Sequence, residues 1–150
     1  MKERLIKRPA AGENFCGRES EIKNIIEWLD TNDIILIQAN PRSGKTSLLR
    51  KLAELNIGPY VNASSYNPNW SYEDTVALFQ QHFKTNTGVI LIDEADSAFR
   101  NLHFMELIKF LQSIGFKIIW ASVAAKEIPD NYPTLKHSKK MRLMPYKKQK

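Results

Sequence analysis

The sequence holds a single cysteine, Cys16, among 150 residues. No disulfide can form within such a chain, and a reducing cytosol suits it. No apolar run approaches the length of a membrane span, and the opening MKERLIKRPAAGENF lacks the apolar centre of a signal peptide. A cytoplasmic location is expected, with no membrane partner. His82, His103 and His137 are scattered without ligand spacing, which argues against a metal site of their own. No N-K-x-D string is present, which speaks against a guanine-specific switch. There is no internal repeat, and no low-complexity segment apart from a basic end.

What is present fits one compact domain with a real core and little room for a second. The net charge is +6. The basic residues crowd toward the end, at Lys136, Lys139, Lys140, Arg142, Lys147, Lys148 and Lys150. Such a region can contact nucleic acid through its phosphates, or can simply be a solvated terminus.

The stretch IILIQANPRSGKTS, Ile34 to Ser47, organises the rest. An apolar run leads into a short polar loop with Pro41 and Gly44, and a helix opens at Lys45. Leu48, Leu49, Leu52 and Leu55 then recur at helical spacing. Strand, loop and helix in that order make a phosphate-binding loop. Backbone N–H groups from about Arg42 to Thr46 converge at a helix N-terminus, whose dipole also favours an anion. Lys45 adds a point charge for the β and γ phosphates, and the Thr46 hydroxyl suits Mg²⁺. The string departs from G-x-x-x-x-G-K-[ST] in having Ala39 at its first position. The competing reading is a chance GKT in a surface turn.

Residues 1–13, with Pro9 and Gly12, read as a flexible leader. Ile22, Ile25, Ile26 and Leu29 predict an amphipathic helix from about Glu19 to Leu29. Gly58 and Pro59 precede a short strand at Tyr60 to Asn62, and Ser64 to Trp70 is a loop. Ser71 and Asp74 form a capping pattern for a helix reaching about Lys84. VILID, from Val89, is a continuous apolar run of the kind covered on both faces. Apolar positions nearly encircle a helix from Asn101 to Ile114, which implies deep burial, in part against a partner. KIIWAS, Lys117 to Ser122, is a further strand. Residues 123–138 read as a short helix or an ordered loop, and Met141 to Tyr146 as a last strand. Short apolar runs alternating with helices imply a parallel sheet covered on both faces, with ligands beyond the carboxyl ends of its strands.

Four apolar residues followed by Asp93 and Glu94 form the second nucleotide-binding motif, Walker B. Asp93 is placed to hold Mg²⁺ through water, since a hard cation prefers oxygen ligands. Glu94 is placed to orient and deprotonate the attacking water. A polar strand end facing solvent is the plainer alternative. Trp28, Trp70 and Trp120 read as core or rim packing.

The segments FCGRESEI (Phe15 to Ile22), ANPRSGKTSLL (Ala39 to Leu49), VILIDEAD (Val89 to Asp96), IIWAS (Ile118 to Ser122) and RLMPY (Arg142 to Tyr146) carry a family resemblance. The sequence resembles an AAA+ P-loop ATPase core, in particular the archaeal-ATPase and STAND branch with its origin-recognition-like members. The resemblance implies an α/β fold of three αβα layers, with a parallel five-stranded sheet in the order 5-1-4-3-2. It implies a core over residues 14–146 and a basic tail at 147–150. It sets Phe15, Cys16 and Gly17 beside adenine, and Ser122 at the polar sensor position near the γ-phosphate. The full expected nucleotide set adds Arg18, Asn40, Pro41, Arg42, Ser43, Gly44, Lys45, Thr46 and Ser47. Glu94, Lys45 and Ser122 are the catalytic candidates, and Thr46 and Asp93 the metal candidates. Two departures stand out. The family's helical lid does not follow RLMPY, and lysines 136, 139 and 140 stand where an arginine finger often precedes the last strand. Arg18 and Arg100 are then trans contacts or surface ion-pair partners. The expected function is Mg-dependent ATP hydrolysis coupled to assembly or remodelling of a nucleic-acid or protein partner, with a homo-oligomer or client completing the site. Rivals are a non-catalytic ATP-gated module for oligomerisation or DNA binding, and a small nucleotide kinase. The kinase is disfavoured by D-E at the strand tip and by the want of an arginine-rich lid.

Overall fold

The apolar runs become strands of one parallel sheet, and the amphipathic stretches pack on its two faces. The computed structural model describes residues 18–40, 43–81, 88–123 and 138–143. Along them lie α1 (Glu19–Trp28), β1 (Ile34–Ala39), α2 (Lys45–Glu54), β2 (Tyr60–Asn62), α3 (Tyr72–Gln80), β3 (Val89–Asp93), α4 (Leu102–Ser113), β4 (Lys117–Val123) and β5 (Lys139–Leu143). The strand order is β2-β3-β4-β1-β5, which is 5-1-4-3-2 read from the other edge, and every pairing is parallel.

Alternation along the strands sorts the core into two layers. Ile34, Leu36, Ile90, Ile92, Ile118 and Trp120 face α3 and α4, where Phe79, Phe104, Met105, Ile108 and Leu111 meet them. Ile35, Ile37, Leu91, Ile119, Ala121, Met141 and Leu143 face Ile22 and Ile25 of α1 and Leu48, Leu49 and Leu52 of α2. The chain therefore leaves β1 by a helix on one face and leaves β2 and β3 by helices on the other. That change of side opens a crevice at the carboxyl ends of the central strands.

Helix starts follow local chemistry. Ser71 Oγ accepts the Asp74 amide at 3.1 Å, which caps α3. Buried Asn101 does more: its carbonyl oxygen accepts from the Phe104 amide at 3.1 Å, and its amide donates to the Tyr66 carbonyl at 3.2 Å. Helix α4 is thereby capped and tied to the loop after β2.

Several sequence expectations need correction. The last strand begins at Lys139, two residues before the expected Met141. Lys139 is exposed, on the side of β5 that carries Met141 and Leu143, and its ammonium lies 4.6 Å from the Trp28 ring centroid. Lys139 and Lys140 thus lie within the strand and not before it. Helix α4 buries one face only: Leu102, Phe110 and Ile114 are exposed. A 3₁₀ segment, Ala95–Arg100, follows Walker B, and another, Ala63–Ser65, interrupts the loop after β2. Trp120 is fully buried, and Trp28 and Trp70 pack at the rims of the two layers. The leader, the 147–150 tail, most of 123–138, and Met144 to Tyr146 lie outside the described residues, as do Lys136, His82 and His137. Among the described residues no helix is long and apolar enough to cross a membrane.

Candidate functional site

Strand β1 ends at Ala39, and α2 starts at Lys45 with Gly44 as its N-cap, at φ 84°. A left-handed backbone here favours glycine. Glycine also brings no side chain to cap the first turn, so the helix N-terminus keeps its amides for something else. The loop is held from behind by Arg18, whose guanidinium donates to the Ser43 carbonyl at 2.5 Å and sits 3.4 Å from where a Cβ on Gly44 would be. Arg18 is buried and also forms an ion pair with Glu21 at 3.5 Å, one turn along α1. Ser43 is buried as well, and its hydroxyl has no partner among the described residues.

Strand β3 delivers Asp93 to the same place. The sheet order sets β4 between β1 and β3, so α2 and not strand pairing carries Lys45 to Asp93. Lys45 Nζ donates to Asp93 Oδ1 at 2.9 Å and to Glu94 Oε2 at 3.3 Å. Thr46 Oγ1 donates to Asp93 Oδ2 at 2.7 Å. Two further donors complete the set: the Glu94 amide to Oδ1 at 2.9 Å and the Tyr60 hydroxyl to Oδ2 at 2.6 Å. Glu94 achieves this by a left-handed turn, φ 51°, directly after the strand. A non-glycine residue held there carries strain on the order of 1–3 kcal/mol.

The electrostatics follow from burial set against these donors. Burial by itself pushes the Asp93 carboxyl upward, but Tyr60, Thr46 and Lys45 overcome it and hold the group below the usual carboxylate range. Burial by itself pulls the Lys45 ammonium down, and the bond and charge of Asp93, joined by Glu94, leave it raised. The Tyr60 phenol is pushed up to about 12, by burial first and by Asp93 next.

Lys45, Thr46, Asp93 and Glu94, four residues singled out in the sequence, are therefore joined in one hydrogen-bonded cluster centred on Asp93. Ser122 is buried on β4 opposite Gln38 of β1, and among the described residues it has no hydrogen bond to any of the four. Its neighbour Val123 donates its amide to Asp96 Oδ2 at 3.0 Å, which ties the segment after Walker B to the tip of β4. Asn40 and Ser47 are exposed, Ser47 on the outside of α2. Arg100 is exposed too, with no ion pair among the described residues. Phe15, Cys16, Gly17, Pro41 and Arg42 lie outside those residues. Sequence reasoning passed over Tyr60 and Asp96. Tyr60 stands opposite Leu91, two residues before Asn62, which faces Asp93 across the β2–β3 pair, and only its long side chain reaches the carboxylate.

No family model matches the sequence, and no curated protein does. Solved structures do match in shape. A DNA replication initiation factor is similar over 92% of this chain at 16% identity with a TM-score of 0.59. The FIGL-1 AAA domain in complex with ADP is similar over 95% at 17% identity with a TM-score of 0.62. The fold of this chain is the one seen in that AAA domain. AMPPCP-bound DnaA from Aquifex aeolicus shares it over 92% of the chain at 16% identity, with a TM-score of 0.51. This chain spans 48%, 61% and 49% of the lengths of those three structures. Within it, the Lys45–Asp93–Thr46 cluster lies at the carboxyl end of the central strands, where β1 opens into the loop.

Proposed function

We propose that this chain binds ATP with Mg²⁺ at the loop between β1 and α2 and hydrolyses it to ADP and phosphate. The observation that carries the reading is the convergence of Lys45 Nζ and Thr46 Oγ1 on the two oxygens of one buried carboxylate, Asp93, at 2.9 and 2.7 Å. A buried carboxylate held ionised beside an uncapped helix start suits a bound cation and an anion side by side. The residues present fit both groups. Lys45 and the amides at the start of α2 would hold the phosphates, and Thr46 and Asp93 would hold Mg²⁺. Among the described residues no cluster of three His, Cys, Asp or Glu could hold a metal unaided, so phosphate oxygens would have to complete its shell. Charge favours the pairing: one ammonium faces two carboxylates, so a magnesium complex would bind more tightly than a bare polyphosphate. Bound Mg²⁺ would neutralise charge developing on the transferred phosphoryl group. Glu94, exposed at the mouth of the site, would take the proton of the attacking water. That structural neighbours hold ADP and AMPPCP supports the choice of an adenine nucleotide.

Binding without appreciable turnover is the second reading. Arg18 favours it, because its guanidinium is already committed to Ser43 within the chain. An arginine that meets charge on the γ-phosphate typically contributes about 10³ to 10⁵ in rate, so an isolated chain is expected to turn over slowly. A second copy or a client that docks would complete the site and couple hydrolysis to assembly or remodelling. Lys140 and Arg142, exposed on β5, are the described residues through which nucleic acid would be met. The test is phosphate release across a hundredfold range of protein concentration, with and without duplex DNA. Specific activity that climbs with concentration or DNA supports coupled hydrolysis. Tight ATP binding with no release under any condition favours the second reading.

A further inference from the structure

Asp93 is fully buried, and a carboxylate in that position must keep its donors or lose its charge. Two of its four donors, Lys45 and Thr46, are the groups that phosphate and metal would claim. The other two are the Glu94 amide on Oδ1 and the Tyr60 hydroxyl on Oδ2, at 2.9 and 2.6 Å. They leave one fixed donor on each oxygen, and each oxygen keeps a free lone pair for a metal-bound water.

We propose that the Tyr60 hydroxyl is a positioning group that holds Asp93 aligned for Mg²⁺ when Lys45 and Thr46 turn from it to the nucleotide. The proposal rests on the reading of the site as a Mg-nucleotide site, and it names a residue that neither motif contains.

Tyr60 is suited to this because it is itself fixed. Its backbone stands opposite Leu91 in the β2–β3 pair, and the Leu91 amide donates to the Pro59 carbonyl at 3.0 Å. Immediately upstream, Gly58 lies so close to β3 that a Cβ there would be 2.3 Å from the Val89 carbonyl oxygen. The phenol ring is covered by the Arg50 guanidinium, 4.7 Å from the ring centroid. Strand pairing, a close backbone approach and a stacked cation all act before the hydroxyl meets Asp93. Groups in this supporting role around a metal commonly matter by about 10- to 100-fold in metal affinity. A tyrosine present only to pack would contribute its ring and nothing through its oxygen.

Tyr60→Phe separates the two roles, because it keeps the ring and the Arg50 contact and removes the donor. The experiment is calorimetric titration of the whole chain with ATP, once in EDTA and once in excess Mg²⁺, so that the gain in affinity caused by the metal is read without turnover. Tyr60→Phe is expected to bind metal-free ATP within about twofold of wild type and to lose about tenfold or more of the Mg²⁺-dependent gain. Tyr60→Met, which removes ring and hydroxyl together, is the second variant and is expected to lose at least as much. Thermal melting without ligand establishes that each variant is folded. A folded variant of either kind that keeps the full Mg²⁺-dependent gain overturns the role of the hydroxyl and leaves the nucleotide reading standing. Wild type that gains nothing from Mg²⁺, or binds no nucleotide, overturns both.

Discussion

Asp93→Asn puts the electrostatic design of the site under the sharpest test, because the amide keeps the shape of the carboxylate and removes only its charge and half its accepting capacity. The side chain is 1% exposed and its partner Lys45 10% exposed. Breaking a buried pair by removing one member typically costs about 3–5 kcal/mol. Two features lower that figure here. The asparagine oxygen can still accept from Lys45 and the Glu94 amide, and Lys45 keeps Glu94 at 3.3 Å, although that carboxylate is 47% exposed and so counts for little. On the other side, the Thr46 and Tyr60 hydroxyls would have to turn round to accept from an N–H₂. A loss of about 2–3 kcal/mol at pH 7 is expected, or a fall of roughly 4–12 °C in melting temperature for a chain of this size. Because the folded-state carboxyl of Asp93 is depressed, its contribution is present above the ordinary carboxylate range and is lost as pH falls through the folded value. Lys45 is raised, so its share is complete below the ordinary lysine range and fades as pH climbs through its folded value. Urea unfolding of both proteins from pH 7 to about pH 3 is the assay, and the gap between them should begin to narrow below about pH 4. Equal stability at neutral pH, or a gap that persists unchanged in acid, refutes the reasoning.

Glu94→Gln keeps the shape and should leave ATP binding intact while hydrolysis falls by about 10²-fold or more; single-turnover rates equal to wild type would remove Glu94 from the role of base. Gly58→Ala should destabilise by about 1–3 kcal/mol, since its Cβ would meet the Val89 carbonyl, and thermal melting reads this directly. Asn101→Ala gives up both a helix cap and the bond to Tyr66, for about 2–3 kcal/mol, which a denaturant titration reads.

Much of this architecture is legible in the sequence because the chain obeys simple periods. Ile34 to Ala39 and Val89 to Asp93 are apolar on both faces and end in loop and acid, which marks central parallel strands and the edge where ligands bind. Leu48, Leu49 and Leu52 mark the inner face of α2 in the same way. Legibility fails where a polar residue belongs to a strand or to the interior. Lys139 and Lys140 open β5 as exposed residues, the first beside the Trp28 ring, so a reading by hydropathy alone starts that strand two residues late. Arg18 looks like a surface charge in sequence, yet a carbonyl 25 positions away draws it into the interior. Tyr60 and Asp96 were missed for a related reason. Their partners, Asp93 and the Val123 amide, are set by strand order, which no local pattern displays. The exposure of Phe110 and Ile114 has the opposite origin: apolar residues all round a helix predict burial all round, and among the described residues only one face of α4 is covered.

Lys45 and Asp93, bonded to each other here, are proposed to hold a magnesium nucleoside triphosphate between them. Calorimetric titration of wild type and Lys45→Ala with Mg-ATP tests it most directly, since the substitution removes one charge from the phosphate site and leaves the strands that frame it. Wild type should bind, and the variant should lose roughly 1.5–3 kcal/mol of binding free energy, about 10- to 150-fold in Kd. Equal affinity for the two proteins, or no heat from wild type at millimolar Mg-ATP, would contradict it.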